Sequence, residues 1–177
     1  IIHRDLSTDN ILINDMGEVK LIDFGIARAA GIRTITAKDA FGKEFYIAPE
    51  VEVGNEKAFK PEVDIYSFGV CLYEMIMTLR PEKRRKNVLK QFQRNIHHLD
   101  AAFPADIPEE LKRLVIHCVQ REPRDRPASM EGIKAILHGI QSTIRNTENG
   151  NETLPRGIKI ESELLEFDHA LVLDSEY

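Results

Sequence analysis

The sequence has few cysteines and no long apolar run, and each absence excludes a class of protein. Its two cysteines, Cys71 and Cys118, stand in apolar helical patterns, which predicts buried free thiols in a reducing compartment rather than a disulfide framework. No apolar run approaches the roughly 18 residues that a membrane-spanning helix needs. The sequence also shows no repeat, no metal-thiolate spacing and no hydrolase-type Ser-His-Asp grouping. We therefore expect a soluble, cytoplasmic globular protein.

A secretory leader is also missing from the first residues, Ile1-Ile2-His3-Arg4, and so is an initiator methionine. The sequence starts in the middle of the motif described below, which predicts that the chain is a piece of a longer protein. Its 177 residues are enough for one domain with a substantial core.

The net charge of −5 is unevenly distributed along the chain. Residues 1–143 contain 21 Lys and Arg against 21 Asp and Glu, whereas residues 144–177 contain 3 against 8. A neutral body argues against nucleic-acid binding, because that function needs a basic face. We therefore expect a globular domain over residues 1–143 and an acidic, flexible tail over residues 144–177.

Residues His3 to Asn10 read H-R-D-L-S-T-D-N and contain two groups suited to phosphoryl transfer. Asp5 can orient an attacking hydroxyl and accept its proton, and Asn10 offers a neutral amide oxygen to a hard cation. A second carboxylate, Asp23, follows Asn10 by thirteen residues, in the triplet D-F-G. Because Mg²⁺ takes oxygen ligands, the sequence predicts a magnesium–phosphate site with Asn10 and Asp23 as metal ligands.

A β-hairpin is predicted between these two metal-ligand candidates. Two short β-prone runs, residues 11–13 and 19–22, flank the turn sequence Asn14-Asp15-Met16-Gly17. The hairpin would place Asn10 and Asp23 at neighbouring strand ends, where one metal ion could bridge them.

The motifs H-R-D-L-x-x-x-N, D-F-G and A-P-E (Ala48-Pro49-Glu50) follow the order of the protein-kinase motif set. From the catalytic loop onward, the chain resembles the C-terminal lobe of a eukaryotic protein kinase. The resemblance implies a mainly α-helical lobe with a small β-hairpin (α+β) and without the N-terminal lobe. It also implies ATP-dependent transfer of the γ-phosphate to Ser/Thr of protein substrates, with ATP and Mg²⁺ as cofactors.

The same resemblance assigns roles to residues outside the three motifs. Leu12 would pack beneath the adenine ring, although a core leucine explains this residue equally well. Asp64 stands near the start of a predicted buried helix from Pro61 to Leu79, and it would hold the catalytic-loop backbone. Arg126 would form a buried ion pair with Glu50 that fixes the activation segment to the lobe.

Three further helices are predicted: one within Arg80–Arg94, one from Pro108, and one over Ala128–Gln141. The first contains a basic cluster, which is either a solvated helix face or a docking surface for an acidic substrate or the chain's own acidic tail. Residues 121–130, R-E-P-R-D-R-P-A-S-M, resemble an element common in tyrosine-kinase-like kinases.

The stretch between D-F-G and A-P-E has little periodicity and resembles a kinase activation segment. A phosphate on Thr34 or Thr36 would pair with Arg4 and order this loop. The alternative is that these are two surface threonines in a flexible loop.

Two residues depart from the usual serine/threonine-kinase pattern. Such kinases carry Lys two residues after the catalytic Asp, where this sequence has Ser7, and Thr seven residues before the A-P-E glutamate, where it has Lys43. Our hypothesis is that the two changes compensate, with Lys43 supplying the positive charge from across the cleft. The pair Tyr46-Ile47 before A-P-E favours Ser/Thr over Tyr as the acceptor.

The sequence contains no Gly-rich loop of the form G-x-G-x-x-G, which covers the ATP phosphates in kinases. We therefore expect little or no kinase activity from these 177 residues alone. The alternative function is a non-catalytic interaction module that binds a partner through its exposed face, its basic helix or its acidic tail.

Overall fold

The computed structural model describes residues 2–24, 43–52, 60–79 and 85–149. This part of the chain is mostly helical and has one two-stranded antiparallel sheet, as predicted. The elements are β1 (Ile11–Ile13), β2 (Val19–Leu21), α1 (Pro49–Glu52), α2 (Glu62–Thr78), α3 (Arg85–Asn95), α4 (Glu109–Cys118) and α5 (Met130–Asn149). None of the described helices is both long enough and apolar enough to cross a lipid bilayer.

The predicted hairpin is confirmed, and its turn is built by Asn14. The Asn14 side-chain oxygen accepts hydrogen bonds from the backbone N–H of Met16 at 3.0 Å and of Glu18 at 2.8 Å. Gly17 adopts a φ of 84°, a left-handed conformation that a side chain would disfavour. The turn closes β1 onto β2 with Ile11 opposite Leu21.

Helix α2 is the centre of the core, as its apolar sequence predicts. Its first turn follows Pro61, and its buried residues face both α4 and α3. The Tyr73 ring of α2 packs at a tilt against Phe92 of α3, with 5.2 Å between ring centroids, and edge-on against Phe103, with 5.5 Å. A helix buried on nearly all sides can position groups on several surrounding segments at once.

Helix α2 packs tightly against the C-terminal end of α4 at Gly69. A Cβ at this position would lie 2.6 Å from Cys118 Cβ and 2.8 Å from Val119 Cγ1. We expect Gly69→Ala to lower the free energy of unfolding by about 1–3 kcal/mol, because the two helices must separate to admit the methyl group. Urea denaturation would measure the change. At Gly132 an added Cβ meets only Ser129 Oγ, at 3.8 Å, so Gly132→Ala is the matched control. Equal stabilities of the two variants would contradict the close approach.

Both cysteines are free and buried, as predicted. Burial raises the pKa of the Cys118 thiol to about 12, and the nearby charge of Arg126 opposes this shift only in part. The Cys118 thiol is therefore neutral at physiological pH, and it acts as a small apolar core residue.

The predicted extent of the last helix needs correction. This helix was predicted to end at Gln141 but runs to Asn149, so residues 144–149, the first of the predicted tail, are helical. No Gly or Pro interrupts the sequence between Gly139 and Gly150, and Ile140 and Ile144 continue the apolar face of the helix. The boundary between the predicted domain and tail stays a prediction.

The helix predicted within the basic cluster is present as α3, and it has one buried and one exposed face. Val88, Leu89 and Phe92 pack in the core, whereas Lys90 and Arg94 are exposed to solvent. Residues 80–84 of the basic cluster lie outside the described residues.

Candidate active site

Asp5 and Asn10, the two candidates from the first motif, are in direct contact. The buried Asn10 amide nitrogen donates to the Asp5 backbone carbonyl at 2.6 Å and to Asp5 Oδ2 at 3.1 Å. These two bonds fix which way the amide is turned, with its nitrogen towards Asp5 and its oxygen away from it. The loop therefore holds the Asp5 carboxylate in one position and leaves the Asn10 amide oxygen outside both contacts.

Asp64 at the start of α2 holds the backbone of this loop, which is the geometry predicted for it. Asp64 Oδ2 accepts a hydrogen bond from the His3 N–H at 2.6 Å, and Oδ1 accepts one from the Arg4 N–H at 2.8 Å. Arg4 has a φ of 65°, and a non-glycine residue in this region costs about 1–3 kcal/mol. Burial raises the pKa of Asp64, and the two backbone N–H groups oppose the shift. The two hydrogen bonds to this partly buried carboxylate thus offset the strain at Arg4.

Lys43 reaches the same carboxylate from a different segment. It begins the short turn Lys43–Tyr46, and its Nζ lies 3.1 Å from Asp5 Oδ2. The two side chains are only 25% and 18% exposed, so solvent screens their attraction less than it would on an open surface. The structure thus brings Lys43, Asp5 and Asn10 together, and the amide of Asn10 and the ammonium of Lys43 share one carboxylate oxygen.

Asp23 lies beside this group at the open end of the hairpin. The Ile22 N–H donates to the Asn10 carbonyl at 3.0 Å, so the pairing of β1 with β2 continues by one residue pair beyond Ile11 and Leu21. Asp23 is the next residue after this pair. Asp23 has a φ of 56° and an exposed side chain, for which no hydrogen bond or ion pair occurs within the described ranges. The exposed Asp23 carboxylate is a ligand type that suits Mg²⁺, which is usually bound by one or two carboxylates plus substrate phosphates.

Four other predicted residues complete the account of the site. Leu12 on β1 is half exposed, at 50%, so it lines an open surface rather than the core of the described lobe. Arg4 is partly buried beside Asp5 in the chain. Thr34 and Thr36 lie outside the described residues, so their regulatory role stays a prediction.

A buried carboxylate that the sequence reasoning missed connects three segments of the site. Glu74 of α2 is 3% exposed, and its Oε2 accepts hydrogen bonds from Thr8 Oγ1 at 2.8 Å and from the Tyr46 hydroxyl. The carboxylate therefore ties the loop after Asp5 and the turn after Lys43 to the central helix. An acidic residue within an otherwise apolar helix was the available indication, because a buried charge requires hydrogen-bond donors.

Two tyrosines provide a matched test of this connection. Tyr46→Phe removes a donor to a buried carboxylate, so we expect it to lower the free energy of unfolding by about 1.5–3 kcal/mol. The Tyr73 hydroxyl is buried without a hydrogen-bond partner among the described residues. Tyr73→Phe should therefore leave stability within about 0.5 kcal/mol of the parent chain or raise it. Thermal and urea denaturation would compare the two variants, and a larger loss for Tyr73→Phe would contradict both assignments.

The predicted ion pair between Arg126 and Glu50 is present and bidentate. Arg126 Nη1 donates to Glu50 Oε1 at 2.7 Å, and Nη2 donates to Oε2 at 2.8 Å. Arg126 also donates to three backbone carbonyls, those of Glu62, Gln120 and Arg121. Its guanidinium carbon lies 5.1 Å from the centroid of the Tyr66 ring. The pair joins α1, which follows the Lys43 turn, to the start of α2 and to the segment between α4 and α5.

Comparison with known proteins gives consistent results. The family model of the protein kinase domain matches residues 1–138. The dual specificity protein kinase shkC of Dictyostelium discoideum is 31% identical over 168 residues, which are 92% of this chain and 32% of that protein. The serine/threonine-protein kinase PknL of Mycobacterium tuberculosis is 35% identical over 148 residues, 79% of this chain and 35% of that protein. The tyrosine-protein kinase MasK of Myxococcus xanthus is 31% identical over 163 residues, 89% of this chain and 24% of that protein.

These relatives differ in the acceptor residues that their names state, so their names give the family and not the acceptor. The chain spans about a third or less of the length of these relatives. The family match covers more than half of the chain, and it covers every residue of the site described above. The chain belongs to the protein kinase domain family.

Proposed function

We propose that this chain supplies the catalytic loop and metal-binding residues of an ATP-dependent protein kinase that phosphorylates Ser or Thr side chains. The observation that carries the proposal is that Lys43 and Asn10 both contact the partly exposed carboxylate of Asp5. Phosphoryl transfer depends mainly on positioning and charge stabilisation, because its transition state is loose. A fixed carboxylate with a cation beside it meets both requirements.

In this mechanism, Asp5 holds the acceptor hydroxyl in line with the phosphate and takes its proton. The Asn10 amide restricts the Asp5 carboxylate to one orientation, so the hydroxyl has a defined place to bind. Lys43 contacts the same carboxylate, and its ammonium group is therefore placed to balance negative charge where the hydroxyl and phosphate meet. This arrangement supports the hypothesis that Lys43 supplies the positive charge that is missing where Ser7 replaces the usual lysine.

Asn10 and Asp23 are the residues that would hold Mg²⁺, and Leu12 would pack against the adenine of ATP. Held by these residues, Mg²⁺ would supply positive charge that neutralises the phosphate groups. The exposed Asp23 carboxylate and the half-exposed Leu12 support these two roles, because both side chains lie open to a ligand.

The preference for Ser/Thr and the assignment to the tyrosine-kinase-like group are further parts of the proposal. Tyr46-Ile47 before A-P-E and the R-P-A-S-M sequence that ends at Met130 support them. The hydroxyl of Tyr46 is held by Glu74, which keeps this residue in the core beneath the turn. A cytoplasmic location stays a prediction.

The test is a phosphotransfer assay of an enzyme that joins this chain to a nucleotide-binding lobe. With ATP, Mg²⁺ and peptides that differ only in carrying Ser, Thr or Tyr, we expect phosphoserine and phosphothreonine, with Asp5→Asn as the inactive control. Phosphotyrosine as the only product would overturn the acceptor assignment. No incorporation into any peptide would overturn the enzymatic function.

The second candidate function is a non-catalytic module that binds another protein or domain. The exposed apolar side chains of the hairpin favour such a contact. The hairpin exposes Leu12, Ile13 and Met16, and Phe24 beside it is 39% exposed. Such an apolar surface usually contacts another protein or domain. We propose that a nucleotide-binding lobe covers it, so the 177-residue chain alone should bind ATP weakly and transfer no phosphate. Phosphorylation by the chain alone would overturn this part of the proposal.

A further inference from the structure

An apolar groove lies away from the candidate active site, between the start of α4 and the second half of α5. Its volume is about 190 Å³. Pro108 and Glu110 form one wall, and the other wall consists of α5 residues, including Ile136, Gly139 and Ile144. Glu110 is the one charged residue in this lining, so the groove suits an apolar side chain rather than an ionic ligand.

Gly139 leaves the groove open on its α5 side. A Cβ at this position would meet no atom within 4 Å among the described residues, and the neighbouring Ile136 is 41% exposed. Glycine in a helix interior lowers helix stability relative to alanine. A glycine at such a site lets another backbone approach closely, which offsets that cost if a segment occupies the groove.

The sequence beyond α5 contains a segment that matches the groove in length and polarity. Ile160, Leu164, Phe167 and Leu171 are spaced 4, 3 and 4 residues apart, the spacing that puts apolar side chains on one face of a helix. The stripe runs over twelve residues, and the eleven steps between its ends span about 16 Å of helix. The groove residues Ile136 to Ile144 cover about 12 Å of α5 on the same basis.

The connection between α5 and this segment is long enough to reverse direction. Helix α5 ends at Asn149, and the next residues up to Lys159 include Gly150, Pro155 and Gly157. Ten residues can extend about 33 Å, whereas Ile144 lies only about 8 Å back along the helix from Asn149. A segment tethered this closely has an effective concentration in the millimolar range, which favours it over a free partner.

We propose that residues 158–173 fold back as an amphipathic helix and place their apolar stripe in the groove between α4 and α5. The acidic residues of the segment would face solvent, and Phe167 would lie over Gly139. The tail is then part of the folded domain rather than a separate binding peptide. This inference does not depend on the proposed kinase activity.

The absence of tryptophan from the chain allows a direct test. Phe167→Trp introduces one indole, whose fluorescence should be blue-shifted in the full chain compared with a free peptide of residues 150–177 that carries the same change. Gly139→Leu fills the groove and should move the emission to that of the free peptide. Gly132→Leu, an exposed glycine of the same helix outside the groove, should leave the emission unchanged.

Hydrogen exchange supplies a second measurement in the wild-type chain. The amides of residues 160–171 should exchange roughly tenfold more slowly than in the free peptide, and Gly139→Leu should remove the difference. If Gly139→Leu disturbs the fold, Leu164→Asp in the tail replaces it, with Leu165→Asp outside the stripe as its control.

Three outcomes would overturn the proposal. The first is an indole emission equal to that of the free peptide in the otherwise unchanged chain. The second is a blue shift that neither Gly139→Leu nor Leu164→Asp removes, which would place the segment elsewhere. The third is a blue shift that disappears on dilution, which would mean that the tail of a second copy fills the groove.

Discussion

Lys43→Ala should lower kcat about 100-fold in an enzyme that joins this chain to a nucleotide-binding lobe, and it should leave the KM for ATP within about twofold. The reason is the position of the ammonium group, which lies 3.1 Å from Asp5 Oδ2. A cation at this place acts where charge develops during transfer, whereas it adds little to binding of the unreacted nucleotide. Steady-state kinetics with a peptide substrate would measure both constants.

The conservative variant and a distant lysine make this result specific. Lys43→Arg keeps the positive charge, so it should recover at least part of kcat, although the larger guanidinium group will not fit the contact equally well. Lys90→Ala changes an exposed lysine of α3 and should leave both constants unchanged. A normal kcat for Lys43→Ala would show that the Lys43 charge does not contribute to phosphoryl transfer. It would also show that Lys43 does not replace the lysine missing at the position of Ser7. A rise in the KM for ATP alone would assign Lys43 to nucleotide binding.

Arg126→Ala should lower the free energy of unfolding of the chain by about 3–5 kcal/mol. The substitution leaves the Glu50 carboxylate buried without its bidentate partner, and it also removes the donor to three backbone carbonyls. The side chains of Arg126 and Glu50 are 0% and 5% exposed, so water cannot replace the lost bonds without entering the core. Urea denaturation followed by circular dichroism would measure the loss.

Two comparisons separate the ion pair from general damage to the chain. Arg124→Ala removes a neighbouring arginine that is 84% exposed, and it should change stability by less than about 0.5 kcal/mol. The double variant Glu50→Ala/Arg126→Ala should lose less than the sum of the two single losses, because neither change then leaves a buried charge alone. A loss below about 1 kcal/mol for Arg126→Ala would contradict the structural importance of the pair.

Local sequence determined much of the fold in advance. The hairpin was predictable because Asn14 and Gly17 suit its turn, and α2 was predictable because Pro61 precedes a run of core residues. The backbone pairing of Ile22, the residue before Asp23, with Asn10 followed from the hairpin alone. The Arg126–Glu50 pair lies 76 residues apart in sequence, so it was accessible only through the resemblance to kinases.

Other features depended on tertiary structure and could not be read from the chain. The left-handed backbone at Arg4 is imposed by its surroundings, since arginine rarely adopts a positive φ. The role of Glu74 requires knowing that Thr8 and Tyr46 meet above the same turn of α2. The last helix was predicted too short because its polar residues after Gln141 have low helix propensity, while packing of Ile144 favours continuation.

Helix α2 carries two of the carboxylates that support the site, Asp64 near its start and Glu74 ten residues later. Ten residues of α-helix span about 15 Å, so the helix sets the distance between the support for Arg4 and the support for Tyr46. One inserted or deleted residue between them would rotate Glu74 by about 100° and shift it by about 1.5 Å. Substitutions within this interval can therefore be absorbed by repacking, but a change in its length would separate the turn Lys43–Tyr46 from the loop that carries Asp5.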